Sequence, residues 1–336
     1  MKIIKSTLLG YQSPCVISPT VESENAHLNE IVSWLSEERR SLEKELQRKG
    51  AILLRGFKAI QGAEAFETVI SAFSSQNATD EGSTSPRTLV QNQIYTSTNA
   101  PSYLPIELHQ ERSFHTEFPD KIAFFCDVAP SQDGETPIAD MRAVYQALPL
   151  SLIKRFEEKG IKLRRRLPTK NWTRNKAVIT WQETFDTDNR HEVESIVEKL
   201  GWQLKWNRFS LEVDNCVCPA SITHPLTGDR VWFNQAHVLH KTNLLHWAKR
   251  YGSFQLWTIA LLAPIFTQFY YYHHVFGDNS EINSADLDTI RQAISSQEIR
   301  FCWQQGDILL LDNIIMAHGR RIFNGRRRIL VTLIKG

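Results

Sequence analysis

Between residues 27 and 48, Leu28, Ile31, Trp34, Leu35, Leu42 and Leu46 recur close to three- and four-residue spacing among charged neighbours. That pattern predicts an amphipathic helix, and Gly50 supplies its stop because glycine accepts the left-handed backbone on which helices commonly end. The run Ala51-Ile-Leu-Leu-Arg-Gly-Phe57 is short, apolar and bounded by glycine, which predicts a buried strand. A second helical stretch follows through Phe66, Val69, Ile70 and Phe73. From about residue 119 the texture changes to strand-like pieces at Ile122 to Cys126, Lys162 to Leu167, Val217 to Thr223 and Arg230 to Phe233. Ile299 to Trp303, Asp307 to Leu311 and Arg328 to Ile334 are three more, with turns at Gln305-Gly306 and Asn324-Gly325.

Many short strands flanked by helices imply a mixed α/β fold with a mainly β core of the sandwich or jelly-roll kind. No Pro/Gly/Ser-rich linker or fixed-period repeat divides the 336 residues, so one domain over 1–336 is expected. Residues 169 to 215 and 236 to 297 look richer in helix and are expected as lid or insertion segments.

The formal net charge of +2 gives no reason to expect nucleic acid, whose binders gather a basic excess on one face. Five cysteines without disulfide-scaffold spacing suit a reducing compartment. The start Met-Lys-Ile-Ile-Lys lacks the apolar stretch of a secretion signal, and no run approaches the roughly 18 apolar residues of a membrane span. A cytoplasmic enzyme without a membrane partner is expected, its oligomeric state left open.

In Glu107-Leu-His109-Gln-Glu111 a histidine and a carboxylate are one residue apart, so an extended segment turns both to one face. A second histidine, His318, follows the strand Asp307 to Leu311. Two histidines and one carboxylate with positions left open are the preferred set for oxygen-activating Fe(II). Spacing alone does not choose this pair over His115-Thr-Glu117, and such a pair often has no catalytic role.

Three blocks bear on that choice. The first runs from Leu108-His109-Gln-Glu111-Arg-Ser113-Phe through Phe118-Pro119 to Gly134-Glu-Thr136-Pro-Ile-Ala-Asp140. The second is His224-Pro-Leu-Thr-Gly228 with Val231-Trp-Phe-Asn234-Gln-Ala-His237. The third is Gly306-Asp307-Ile-Leu-Leu-Leu-Asp312-Asn313, then Ala317-His318-Gly-Arg-Arg, then Arg326-Arg-Arg328-Ile-Leu-Val. In this order they resemble the taurine dioxygenase (TauD/TfdA) and clavaminate synthase-like family of Fe(II)/2-oxoglutarate oxygenases, over roughly residues 50 to 334.

The resemblance implies a double-stranded β-helix, or jelly roll, with flanking helices. It implies iron ligands His109, Glu111 and His318, and leaves His115 outside the pattern. It also implies 2-oxoglutarate chelating the metal, its far carboxylate held by Arg328 and Thr136, and O2 in the remaining position. A guanidinium suits that carboxylate because it offers two parallel hydrogen bonds. Arg328 is chosen over Arg327 on the register of the resemblance, since strand neighbours face opposite ways. Substrate contacts are expected from Ser97, Thr98, Ser113, Phe233 and Asn234.

The implied reaction converts 2-oxoglutarate to succinate and CO2 while hydroxylating an unactivated carbon. The phrases around His109 and Gly134 look closest to the natural-product branch, which implies an amino-acid-like substrate, free or tethered to an acyl or peptidyl carrier protein. The alternatives are a sulfonate or aryloxy acid substrate, a desaturation or cyclisation outcome, a non-catalytic relative and a zinc hydrolase. Thr332, four residues past Arg328, weakens the sulfonate version, and the presence of Glu111 argues against halogenation. Cys216-Val-Cys218 lacks a second pair for a zinc site. Arg164-Arg-Arg166 and Arg320-Arg321 read as solvated surface. His237, His240, His246, His273 and His274 read as structural or lid residues.

Overall fold

The computed structural model describes residues 1–8, 10–73, 87–170, 179–252, 254–266 and 271–335. Parts of both expected insertions, 171–178, 253 and 267–270, lie outside the described residues.

Eight strands form the largest sheet, in the order Ile3–Thr7, Cys15–Pro19, Ala51–Leu54, Ile308–Asp312, Lys121–Val128, Arg328–Ile334, Ile94–Thr96 and Leu89–Gln91. Its three central strands are long apolar runs because both faces are covered. Alternation sorts their side chains. Leu54, Phe125, Leu310 and Leu330 pack beneath the N-terminal helices Leu28–Glu37 and Gly62–Ser71, while Leu53, Phe124, Leu309 and Val331 face the opposite side. Register fixes this division, since Leu309 pairs with both Leu53 and Phe124. Leu309 is fully buried, and its truncation to alanine would cost on the order of 2–5 kcal/mol.

On that second side lies a three-stranded sheet, Ile106–His109 with Met316–Arg320 and Ile138–Asp140. A four-stranded sheet, Gln203–Trp206, Ser210–Asp214, Ile161–Pro168 and Tyr271–Phe276, carries its own core around Trp181, Trp202 and Leu211. The fold is therefore mixed α/β around a large sheet. Residues 169–215 contribute two strands as well as helices, and 236–297 contribute the strand Tyr271–Phe276 besides helices. Among the described residues no helix is long and apolar enough to cross a membrane.

The single helix expected over 27–48 is two helices, Leu28–Glu37 and Arg39–Lys49, broken at Glu38 with φ −85° and ψ 0°. The second ends at Gly50 as expected, with φ 74°. A Cβ there would come within 2.5 Å of Met316 Sδ, so helix end and core both require glycine. Ile299–Trp303 forms no strand: Phe301 and Trp303 pack into the core, and only Ile299 makes a bridge, to Ile138. Val217–Thr223 shortens to Ser221–Thr223.

Two arginine runs differ from the expected solvated surface. Arg165 is fully buried, its guanidinium 4.9 Å from the centre of the Trp202 ring, while Arg164 and Arg166 pair with Asp214 and Glu212. Arg320 is buried and donates to the carbonyls of Ala100, Pro101 and Leu104, tying down the loop ahead of Ile106. Arg321 pairs with Glu298.

Candidate active site

His109 ends the strand Ile106–His109, and His318 lies directly opposite it in the paired strand Met316–Arg320. The pairing sets the two imidazole centroids 4.5 Å apart. Gly319 permits this approach: a Cβ there would sit 2.6 Å from the carbonyl oxygen of Ile106. The extended segment does not continue to Glu111. The chain turns after Gln110, with Arg112 at φ 58°, yet Glu111 Oε2 lies 4.0 Å from both His109 Nε2 and His318 Nε2.

Residues that the motif reading passed over hold this turn. Gln110 is fully buried and donates to the carbonyls of Trp232 and Ile314. Asn313 accepts from the Glu111 amide at 2.7 Å and donates to the carbonyls of Glu111 and Pro119. His224, in the second block, is structural: its ring bonds Asp312, whose other oxygen accepts from the Ile314 and Ile315 amides.

One donor atom from each of His109, Glu111 and His318 lies within 4.8 Å of the others. The donors suit a divalent metal in three respects. Nδ1 of His109 is 2.8 Å from the Glu107 carbonyl, which fixes the tautomer that leaves the Nε2 lone pair for a metal. Burial pushes both histidines below the ordinary imidazole range, so the rings are neutral and able to ligate. Burial alone would push the Glu111 carboxyl up, but Arg87, 2.8 Å away, outweighs it and keeps Glu111 ionised.

A cavity of roughly 200 Å³ opens beside the triad. Ser97, Thr98, Thr136, Arg87, Gln235 and Trp247 stand in its wall together with Phe124, which packs on His318 at 4.9 Å. Thr136 Oγ1 accepts from Trp303 Nε1 and from Arg327 Nη2, each at 3.1 Å, which leaves its own proton for a further acceptor.

Of the two neighbouring arginines Arg327 and Arg328, the one in this wall is Arg327. Arg328 was expected, but its side chain is half exposed and pairs with Asp127 at 2.8 Å. Parity explains the reversal, since Arg328 shares the face of Leu330 while Arg327 shares the cavity-side face of Ile329 and Val331. Arg327 donates to the Gly134 carbonyl and Thr136 and meets no carboxylate within ion-pair distance among the described residues. Burial pulls it down to about 9.

Ser113, Phe233 and Asn234 stand outside the cavity wall. The turn at Arg112 redirects Ser113 into the interior, Phe233 packs against Phe118 at 4.6 Å, and Asn234 bonds the Ala220 carbonyl and the Ala236 amide. His115 is buried against Trp202 and is pushed down to about 3, chiefly by burial.

The profile of the taurine catabolism dioxygenase TauD, TfdA family matches residues 16–333. The dapdiamide synthesis protein DdaC of Enterobacter agglomerans is 32% identical over 96% of this chain and 92% of its own. A clavaminate synthase-like protein of Arabidopsis thaliana is 27% identical over 96% and 93%. Among solved structures, asparagine oxygenase in complex with Fe(II), 3-hydroxyasparagine and succinate superposes with a TM-score of 0.56 at 12% identity, covering 95% of this chain and 93% of that one.

Proposed function

Since the chain belongs to the taurine catabolism dioxygenase TauD, TfdA family, and is thus a non-haem Fe(II)- and 2-oxoglutarate-dependent oxygenase, we propose that it hydroxylates an unactivated carbon of an amino-acid-like substrate. In this reading His109, Glu111 and His318 hold the iron, within a double-stranded β-helix formed around the large sheet. The observation that carries it is Arg327. A largely buried guanidinium with no carboxylate partner among the described residues is costly, and it shares a cavity with His109 and His318, two of the three clustered metal donors. The far carboxylate of 2-oxoglutarate supplies the missing charge, with Arg327 giving a charge-assisted bond and Thr136 its hydroxyl proton.

Iron with 2-oxoglutarate and O2 supplies the oxidant that removes hydrogen from carbon, releasing succinate and CO2. The protein's part is positional. The Glu107 carbonyl keeps His109 in one tautomer, Asn313 fixes the Glu111 turn, and Phe124 packs on one side of His318. Arg87 at the Glu111 carboxylate, with Ser97 and Thr98 in the same wall, offers polar contacts for the carboxylate and amine of an amino acid. DdaC, whose name places it in dapdiamide synthesis, supports a specialised-metabolite substrate, free or carrier-tethered. The test is succinate formation by iron-loaded protein across free and carrier-bound amino acids, with sulfonates and aryloxy acids as competitors. Stimulation by an amino acid, lost in Arg327→Ala, supports the reading; stimulation only by a sulfonate or aryloxy acid overturns it.

A further inference from the structure

A second set of metal donors stands behind the cavity wall. His240, His273 and Glu281 each offer one ligand atom, all within 4.8 Å of one another. His240 is 5% and His273 8% exposed, and their ring centroids are 4.5 Å apart. Each ring has one nitrogen with a neighbour and one without. His240 Nδ1 meets Thr242 Oγ1 at 3.0 Å, while its Nε2 is buried with no hydrogen-bond partner. His273 Nε2 meets Glu281 at 3.1 Å, while its Nδ1 is buried and unpartnered. An unsatisfied buried ring nitrogen is expensive, so a ligand for His240 Nε2 is the economical explanation.

From these donors we propose that His240, His273 and Glu281 bind Zn(II), as a site separate from the catalytic triad. Tetrahedral zinc with bonds of about 2.0–2.1 Å sets its ligands roughly 3.3 Å apart, a spacing His273 and Glu281 already show. The His240 donor lies within 4.8 Å of that pair, and a movement toward it completes the set, with water as the fourth ligand. Thr242 Oγ1 can accept from His240 Nδ1 and so direct Nε2 to the metal. Glu281 is largely exposed, which gives the ion an entry path. Lys241, paired with Glu281 at 2.8 Å, is exposed on a flexible stem and swings to solvent when the carboxylate takes a metal. Two histidines, one glutamate and a water make a ligand set that zinc takes.

The site would join the cavity wall to the four-stranded sheet. Val238 and Leu239, just before His240, face the cavity, and the Leu239 carbonyl already accepts from the His274 amide on the strand Tyr271–Phe276. Zinc would clamp that wall segment in place.

Calorimetric titration with Zn(II) of metal-free His109→Ala protein, whose iron site lacks a ligand, tests this. One equivalent is expected to bind, weakened at least tenfold when Glu281→Gln or His273→Ala is added. As a check that does not depend on the His109 variant, wild type should take up two equivalents of Co(II) and Glu281→Gln only one. Zinc binding unchanged by Glu281→Gln and His273→Ala, or wild type saturating at one equivalent, overturns the proposal.

Discussion

Arg327 donates to Thr136 Oγ1 across 3.1 Å, while the next residue, Arg328, points the other way and pairs with Asp127. The pair therefore separates the proposed co-substrate carboxylate site from the surface. Arg327→Ala removes a charge-assisted contact of about 1.5–3 kcal/mol, so the dissociation constant for 2-oxoglutarate should rise roughly 10- to 150-fold. Arg328→Ala, on the half-exposed pair, should leave it within about twofold. Anaerobic calorimetric titration of both variants separates them; equal losses, or a larger loss at Arg328, would refute the assignment.

Gly319 and His109 share one constraint. A Cβ at Gly319 would meet backbone atoms of Ile106, Glu107 and Leu108 at 2.6 to 3.2 Å, and backbone cannot yield as a flexible side chain can. Gly319→Ala should push apart the two strands that carry His109 and His318 and weaken metal binding by more than tenfold. The comparison is Mn(II) affinity in folded protein; unchanged affinity would mean that strand spacing does not set the donor geometry.

Asn313 should matter through Glu111. Asn313→Asp keeps the acceptor for the Glu111 amide but removes the donor to the Glu111 and Pro119 carbonyls. Metal affinity should fall about 10- to 100-fold, the range for residues that orient ligands. A smaller metal effect together with a large drop in the urea midpoint would instead mark Asn313 as purely structural.

Buried histidines should make the metal-free fold acid-sensitive. His237 is pushed down to about 3 and His274 to about 4, in both cases chiefly by burial. Each therefore stays neutral in the folded state at pH values where the unfolded chain, with a pKa of about 6.5, binds a proton. Stability from these groups is fully present above about pH 6.5. It is lost as pH falls from there toward the folded values, by up to ~1.4 kcal/mol per pH unit for each group. The urea midpoint should be lower at pH 5 than at pH 7, and His274→Asn should narrow the difference; identical midpoints at the two pH values would contradict this.

Much of the fold was legible because its signals are local. Arg328–Ile334 is an apolar run of strand length, and Gly50 stops a helix where a left-handed cap is needed. The break at Glu38 was hidden because glutamate suits a helix interior as well as a helix end. Ile299–Trp303 looked like a strand but buries its aromatic rings without pairing its backbone, an outcome that depends on neighbours far along the chain. The motif order pointed to His109, Glu111 and His318, which the fold brings together, but not to the residues that support them. Gln110, Asn313 and Arg87 act through contacts 24 to more than 200 residues distant. Choosing between Arg327 and Arg328 required knowing which face of the strand meets the cavity, and alternation supplies two faces without saying which is inner.

His109, Glu111 and His318 are proposed to hold iron beside Arg327 and Thr136. The most direct measurement is anaerobic Fe(II) and 2-oxoglutarate stoichiometry by equilibrium dialysis, for wild type and for Glu111→Ala. Wild type should retain one tightly held iron with one 2-oxoglutarate, and Glu111→Ala should lose the iron and, with it, tight binding of the co-substrate. Iron and 2-oxoglutarate retained undiminished in Glu111→Ala would contradict the account.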